Sequence, residues 1–238
     1  MGRSHSTLIE SRRPARAAGV LGIGAPVFAT VVVLVGGVMT PGYDPIRRTI
    51  SRLAGPGLPA ANSVDLAIAL VGCALLGLAV ALRAGPIGAR VLLAIAGVGL
   101  LAAAVIRLDP ASAQATTIHR LATTLAMLTL TTAPLAFTRA LRGRRYRWLS
   151  FGFGAAEVAM LLVGLALLPT TFAAWGIWER CFLALPMAWV VVLSVRLLRA
   201  SSTDPMFSST AGDMNWASNV SVDETMNTAA AIIKSGGS

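Results

Sequence analysis

The sequence predicts an all-α, polytopic membrane protein: six transmembrane helices, with a short amphipathic helix in the first outer loop. Three observations lead there. Six apolar segments, each about 20 residues long, fill most of residues 17–200. A run of about 18 apolar residues is long enough to cross roughly 30 Å of hydrocarbon as a helix. Apolar residues make up 55% of the chain and charged ones 13%, about half of the roughly 25% found in soluble domains. Mean hydropathy is +0.73, and arginines gather between the apolar segments rather than inside them.

The first span covers residues 17–40 and opens after Arg12, Arg13 and Arg16. It is too long for a signal peptide, and no small-residue cleavage site follows before Pro41. The other five spans cover 63–82, 91–106, 117–137, 148–168 and 172–198. Residues 1–16 read as a basic N-terminus, 17–200 as the membrane domain and 201–238 as a polar tail. The loops are too short for a separate folded domain.

Arginine placement sets the expected orientation. With the N-terminus inside, fourteen of the twenty Lys and Arg residues fall on the inner side and six on the outer side. Cytoplasmic excess of basic residues is the rule, so both termini are expected in the cytoplasm. The densest basic run, 139–147, then lies against anionic headgroups. This also accounts for the net charge of +10 without nucleic acid, and no basic patch interleaved with aromatics supports a nucleic-acid partner. The two cysteines, Cys73 and Cys181, fall inside spans with no Cys-x-x-Cys spacing; they read as buried, small apolar residues.

Composition changes near residue 200. Upstream there are nineteen Arg, no Lys and one Asn, Asn62. The last 38 residues hold the only Lys, three Asn and four acids. The tail is expected to be disordered or appended; within it, Ser221 to Glu224 reads as a capping box. The Arg-rich, Lys-free membrane region points to a GC-rich bacterial genome and a bacterial plasma membrane. The myristoylation-like start at Gly2 and the glycosylation-like Asn219-Val220-Ser221 are therefore set aside.

The first outer loop is the richest local stretch: Pro41-Gly42-Tyr43-Asp44-Pro45-Ile46-Arg47-Arg48-Thr49-Ile50-Ser51-Arg52-Leu53, ending at Gly55-Pro56. Asp44 before Pro45 is a helix start, with a carboxylate cap and proline at the first helical position. Ile46, Ile50 and Leu53 recur at helical spacing, which predicts an amphipathic helix lying on the bundle. Asp109-Pro110 repeats that start before the fourth span, where His119 follows, with Thr116 and Thr123 at spacings of three and four. Asp65, Asp109, His119, Glu179 and Arg180 share a similar depth near the outer leaflet. Ionisable groups inside spans usually face the interior and pair with one another. The expectation is a polar cluster with at least one charged pair within about 4 Å.

The Tyr43 loop motif, the Asp109-Pro110 step with His119, and Gly176-x-x-Glu179-Arg180 together resemble the bacterial domain-of-unknown-function 998 family. The resemblance covers about residues 18–199 and implies a six-span fold with no established activity. It implies functional positions at Tyr43, Arg47, Ser51, Asp109, His119, Glu179 and Arg180. Members often carry an acid where this chain has Arg48.

Motifs for chemistry are sparse. No Gly-x-Ser-x-Gly elbow or Walker-type loop occurs, and no pair of histidines within the spans could hold a haem. No metal or cofactor is expected, although Asp109, His119 and Glu179 could in principle form a mixed site. Glu157 stands apart near mid-bilayer, flanked by Gly152, Gly154, Ala155 and Ala156. It is either a proton relay or an interhelical strut bonded to a threonine of the fourth span or a backbone carbonyl, and the strut is preferred. Three functions remain open. The first is a non-enzymatic component binding a lipid or amphiphile through Tyr43, Arg47, Ser51, Asp65, Asp109, His119, Glu179 and Arg180. The second is a lipid-modifying enzyme with Asp109, His119 and Glu179 as its catalytic candidates. The third is a small proton-coupled transporter using Glu157. Membrane lipids and other membrane subunits are the partners to expect.

Overall fold

The computed structural model describes residues 4–203 apart from 84, 140, 142 and 143, with side chains from residue 13 to 200. The expectations for the tail, including its capping box, lie outside the described residues. Seven helices occur in this range: α1 (Ser4–Met39), α2 (Ile50–Leu53), α3 (Ala61–Ala81), α4 (Ile87–Val105), α5 (Ala113–Thr138), α6 (Arg144–Leu167) and α7 (Trp175–Thr203). All but α2 are long and apolar enough to cross a membrane. The shortest of these, α4, has 19 residues and is about 28 Å long at 1.5 Å per residue. No strand occurs among the described residues.

The helices extend beyond the apolar segments. α4, α5 and α6 each begin about four residues before the expected start, because a helix crosses the headgroup zone before its apolar stretch begins. α1 continues back to Ser4 and runs through Pro14 and Pro26. The last span starts later than expected, at Trp175 rather than Phe172, because residues 168–171 form a turn after α6.

Packing follows chain order. α1 lies against α3, α3 against α4, α4 against α5, and α5 against α6. α7 closes the set: its Ser194 and Leu198 meet Gly19 and Gly22 of α1, and its Trp178 covers Gly164 of α6. Trp189 of α7 stacks obliquely on Phe137 of α5 at 5.7 Å. It also donates to Ser150 Oγ of α6 at 3.0 Å, and that hydroxyl donates to the Pro134 carbonyl of α5 at 2.7 Å. The α3–α4 contact depends on glycine, since a Cβ on Gly97 would sit 2.7 Å from the Gly72 carbonyl oxygen. Small residues permit such close backbone approach in bilayers.

The buried apolar residues form two clusters. The larger joins α1, α3, α4, α5 and α7 around Leu75, Leu93, Leu130, Phe137 and Trp189. The smaller lies under the first loop and consists of Tyr43, Leu53, Ala54, Ala60 and Val64. The outer surface stays apolar; Val38 is 87% and Val105 83% exposed, as lipid contact requires. The same fact corrects the expectation for the cysteines. Cys73 and Cys181 are free and exposed, because a small apolar thiol need not be buried when the surroundings are hydrocarbon.

Candidate functional site

The first loop and the start of α7 are joined by a polar clasp. Its basis is the shortage of acceptors at a helix start, where the first amides have no carbonyl one turn back. The amides of Gly176 and Ile177 both donate to the Ile46 carbonyl, at 2.9 and 3.2 Å. Main chain therefore caps α7 from a segment about 130 residues away in sequence. Gly176 makes this approach feasible. A Cβ there would collide with the carbonyl oxygens of Pro45, Ile46 and Arg48.

Two side chains of α7 complete the clasp. Arg180 Nη1 donates to the carbonyls of Pro45 at 2.8 Å, Arg48 at 3.2 Å and Gly176 at 2.8 Å. Its Nη2 donates to the Tyr43 hydroxyl at 2.7 Å, and the guanidinium lies 5.8 Å from the Tyr43 ring centre. The Tyr43 hydroxyl is directed at the Arg48 and Thr49 carbonyls, at 3.1 and 3.0 Å. Glu179 Oε2 accepts from the Ile50 amide, the first residue of α2. Each element thus caps the other. Burial raises the Tyr43 phenol above its ordinary value, against the lowering effect of the Arg180 bond.

The clasp explains a departure from the expected loop helix. Only Ile50–Leu53 is helical, a single turn, while residues 45–48 form a turn. The carbonyls of Pro45, Ile46 and Arg48 point at α7 and Arg180 instead of forming a helical ladder. Asp44 still caps that turn, accepting from the Ile46 amide at 2.9 Å. Leu53 faces inward with no exposure, whereas Ile46 is 51% exposed.

The expected five-residue cluster does not form. Among the described residues, no two of Asp65, Asp109, His119, Glu179 and Arg180 make an ion pair. Asp65 instead pairs with Arg107 at 2.5 Å, and Arg107 also reaches Asn62. Asp109 accepts from the Ala111 amide at 2.9 Å and caps only a turn. The cap of α5 is Ser112, whose Oγ accepts from the Ala115 amide. His119 is buried with Nδ1 2.7 Å from the Ile106 carbonyl, so that nitrogen carries a proton. Its Nε2 is buried without a partner. Thr116 and Thr123 bond to main-chain carbonyls rather than to the imidazole. The physical reason is shared by Asp109, His119, Glu179 and Arg180. Main-chain groups at helix ends and turns offer partners nearer than another side chain. Of the remaining expected positions, Arg47 is exposed and lies 3.6 Å from Asp44, and Ser51 is half-buried in α2.

A family model described as "Protein of unknown function (DUF998)" matches residues 23–196. The chain belongs to this family. The matched region contains the four middle spans whole, most of the first and last, the clasp and every residue expected to be functional. No curated protein and no solved structure matches the chain.

Within this DUF998 member, sequence reasoning missed Arg107 and Asn62. A shared depth with Asp65 and opposite charge was the available signal. At mid-helix, Glu157 is 1% exposed. Thr131 of α5 is the polar side chain acting on its carboxyl, yet neither the hydroxyl nor either carboxyl oxygen reaches hydrogen-bond geometry. The threonine expected of the fourth span is therefore the side chain that meets the carboxyl, as the strut reading anticipates. No group of three or more His, Cys, Asp or Glu among the described residues could hold a metal.

Proposed function

We propose that the protein is a non-enzymatic component of the bacterial plasma membrane, alone or beside other membrane subunits. In this reading it binds the anionic headgroup of a lipid or amphiphile at its outer face. The supporting observation is the clasp. It holds the 44–50 loop by main-chain atoms and leaves Arg47, Arg48 and Arg52 exposed. Arginine forks suit phosphate and carboxylate groups, and a fixed backbone lowers the ordering cost of binding. Tyr43, Glu179 and Arg180 then act by positioning the loop, since their polar atoms are engaged within the protein. Catalysis through Asp109, His119 and Glu179 has little support, because each is bonded to a different main-chain group.

Reconstitution in nanodiscs tests this. The Arg47→Gln/Arg48→Gln/Arg52→Gln protein should lose preference for phosphatidylglycerol over phosphatidylcholine at unchanged thermal stability, because the clasp uses only the carbonyl of Arg48. An unchanged preference would end the proposal. Orientation rests on the basic-residue count, fourteen against six. In a background lacking Cys73 and Cys181, an external thiol reagent should label Pro59→Cys and spare Gly143→Cys; the reverse pattern inverts the topology.

A second reading rests on Glu157, whose carboxyl oxygens are both buried and, among the described residues, reach no partner in full hydrogen-bond geometry. A relay needs a carboxyl free to exchange a proton, whereas a strut needs a bond. Liposomes loaded with a pH-sensitive dye distinguish the two. Proton flux that disappears in Glu157→Gln at unchanged stability supports the relay, and the absence of flux in the parent protein removes it.

A further inference from the structure

At the opposite end of the bundle, a groove runs down the surface between α6 and α7. It has a volume of about 500 Å³ and is lined by Arg145, Trp148, Leu149, Gly152, Ala156 and Leu185, among others. The groove is shallow and open to its surroundings along its length. Gly152 and Ala156 give the groove its depth, and a Cβ on Gly152 would meet nothing within 4 Å. Its mouth carries one cation, the exposed Arg145, with Arg144 and Arg147 exposed on the same first turn of α6. Trp148 is 62% exposed and is held edge-on by Phe151 at 5.9 Å. Exposed tryptophan at a span end marks headgroup level, so the groove begins at the headgroups and descends along the acyl chains.

We infer that this groove binds one anionic phospholipid, with an acyl chain over Gly152 and Ala156 and the phosphate at Arg145. Two features favour a lipid over a second copy of the chain. The groove is apolar along its length and cationic only at its mouth, which matches the charge pattern of such a lipid. Two copies inserted in the same direction and related by a two-fold axis would instead oppose Arg144, Arg145 and Arg147 of each, a like-charge contact that disfavours pairing.

The site is independent of the loop arginines, so it is tested in the Arg47→Gln/Arg48→Gln/Arg52→Gln background. The probe is an equimolar mixture of phosphatidylglycerol and phosphatidylcholine in detergent, and native mass spectrometry reads the lipid retained. One phosphatidylglycerol should be retained in preference. Gly152→Leu projects into the groove from a position where an added Cβ meets nothing within 4 Å and should lower retention about tenfold, one decade of affinity. Arg145→Gln should lower it about fivefold, the share of one cation near the surface, and erase the preference for phosphatidylglycerol. Gly88→Leu, at another glycine with nothing within 4 Å, is the size-matched control and should change neither retention nor melting temperature. Retention unaffected by Gly152→Leu and Arg145→Gln would overturn the inference. So would a dimer in the parent protein that Gly152→Leu converts to monomer, since a second copy would then occupy the groove.

Discussion

The clasp and the Glu157 region set two kinds of polar burial side by side. In the clasp, Arg180 alone satisfies three carbonyls and a hydroxyl, and Glu179 satisfies an amide. Midway along α6, Glu157 is 1% exposed, and among the described residues its carboxyl meets Thr131 without reaching full hydrogen-bond geometry. A paired polar group adds little net stability, but stranding its partner is expensive. The two regions should therefore respond to mutation in opposite ways.

The largest effect is expected at the clasp. Arg180→Ala removes four hydrogen bonds, among them the side-chain donor to the Pro45 carbonyl, and should destabilise by about 2–4 kcal/mol. Arg180→Lys should recover only part of this, because one ammonium cannot span the same fork. Gly176→Ala should cost about 1–3 kcal/mol, as expected for an added atom that backbone cannot yield to. Thermal melts in one detergent would rank the three; Arg180→Ala within 1 kcal/mol of the parent would remove the clasp as a stabilising element. Asp65→Asn, at a half-exposed pair with Arg107, should cost about 1 kcal/mol and lose salt sensitivity. Glu157→Met should be neutral or stabilising, because it removes an unpartnered acid at similar volume. A loss above about 1.5 kcal/mol there would reveal a hydrogen-bond partner.

The smallest effect is one of pH. The Tyr43 phenol is raised above its ordinary value of 10.0, so the folded state holds this proton more tightly than the unfolded chain does. Its contribution is intact below about pH 10 and is lost as pH climbs through the folded value. Phenolate absorbance should show a late-titrating tyrosine that Tyr43→Phe deletes. If Tyr43→Phe leaves the titration unchanged apart from amplitude, burial is not acting on this group.

Legibility in the sequence followed the kind of partner involved. The six spans were readable because apolar length is a property of the segment itself. Tyr43, Glu179 and Arg180 were singled out from the sequence, and the clasp uses all three. Their geometry was not, because their partners are the carbonyls of Pro45, Arg48 and Gly176 and the amide of Ile50. Main-chain atoms are present at every residue and leave no mark in the sequence. Reading side chain against side chain therefore produced an expected cluster of Asp65, Asp109, His119, Glu179 and Arg180 that the fold disperses. The pair that does form, Asp65 with Arg107, was within reach of a charge-and-depth comparison. The groove at Arg145 was hidden because its basic mouth already had an explanation in insertion orientation.

The clasp also has a place in time. It joins Tyr43 to Arg180, 137 positions apart, and Glu179 to Ile50, 129 apart. At about 5–20 residues per second of synthesis, roughly 7–30 s separate the two halves. Throughout that interval the loop has left its first span, but the helix that fixes it does not yet exist. The carbonyls of residues 45–48 must be satisfied by water or headgroups while they wait. Helix α7, made long afterwards, therefore fixes the shape of the first loop. A chain halted before Gly176 would present that loop without the amides and the guanidinium that hold it.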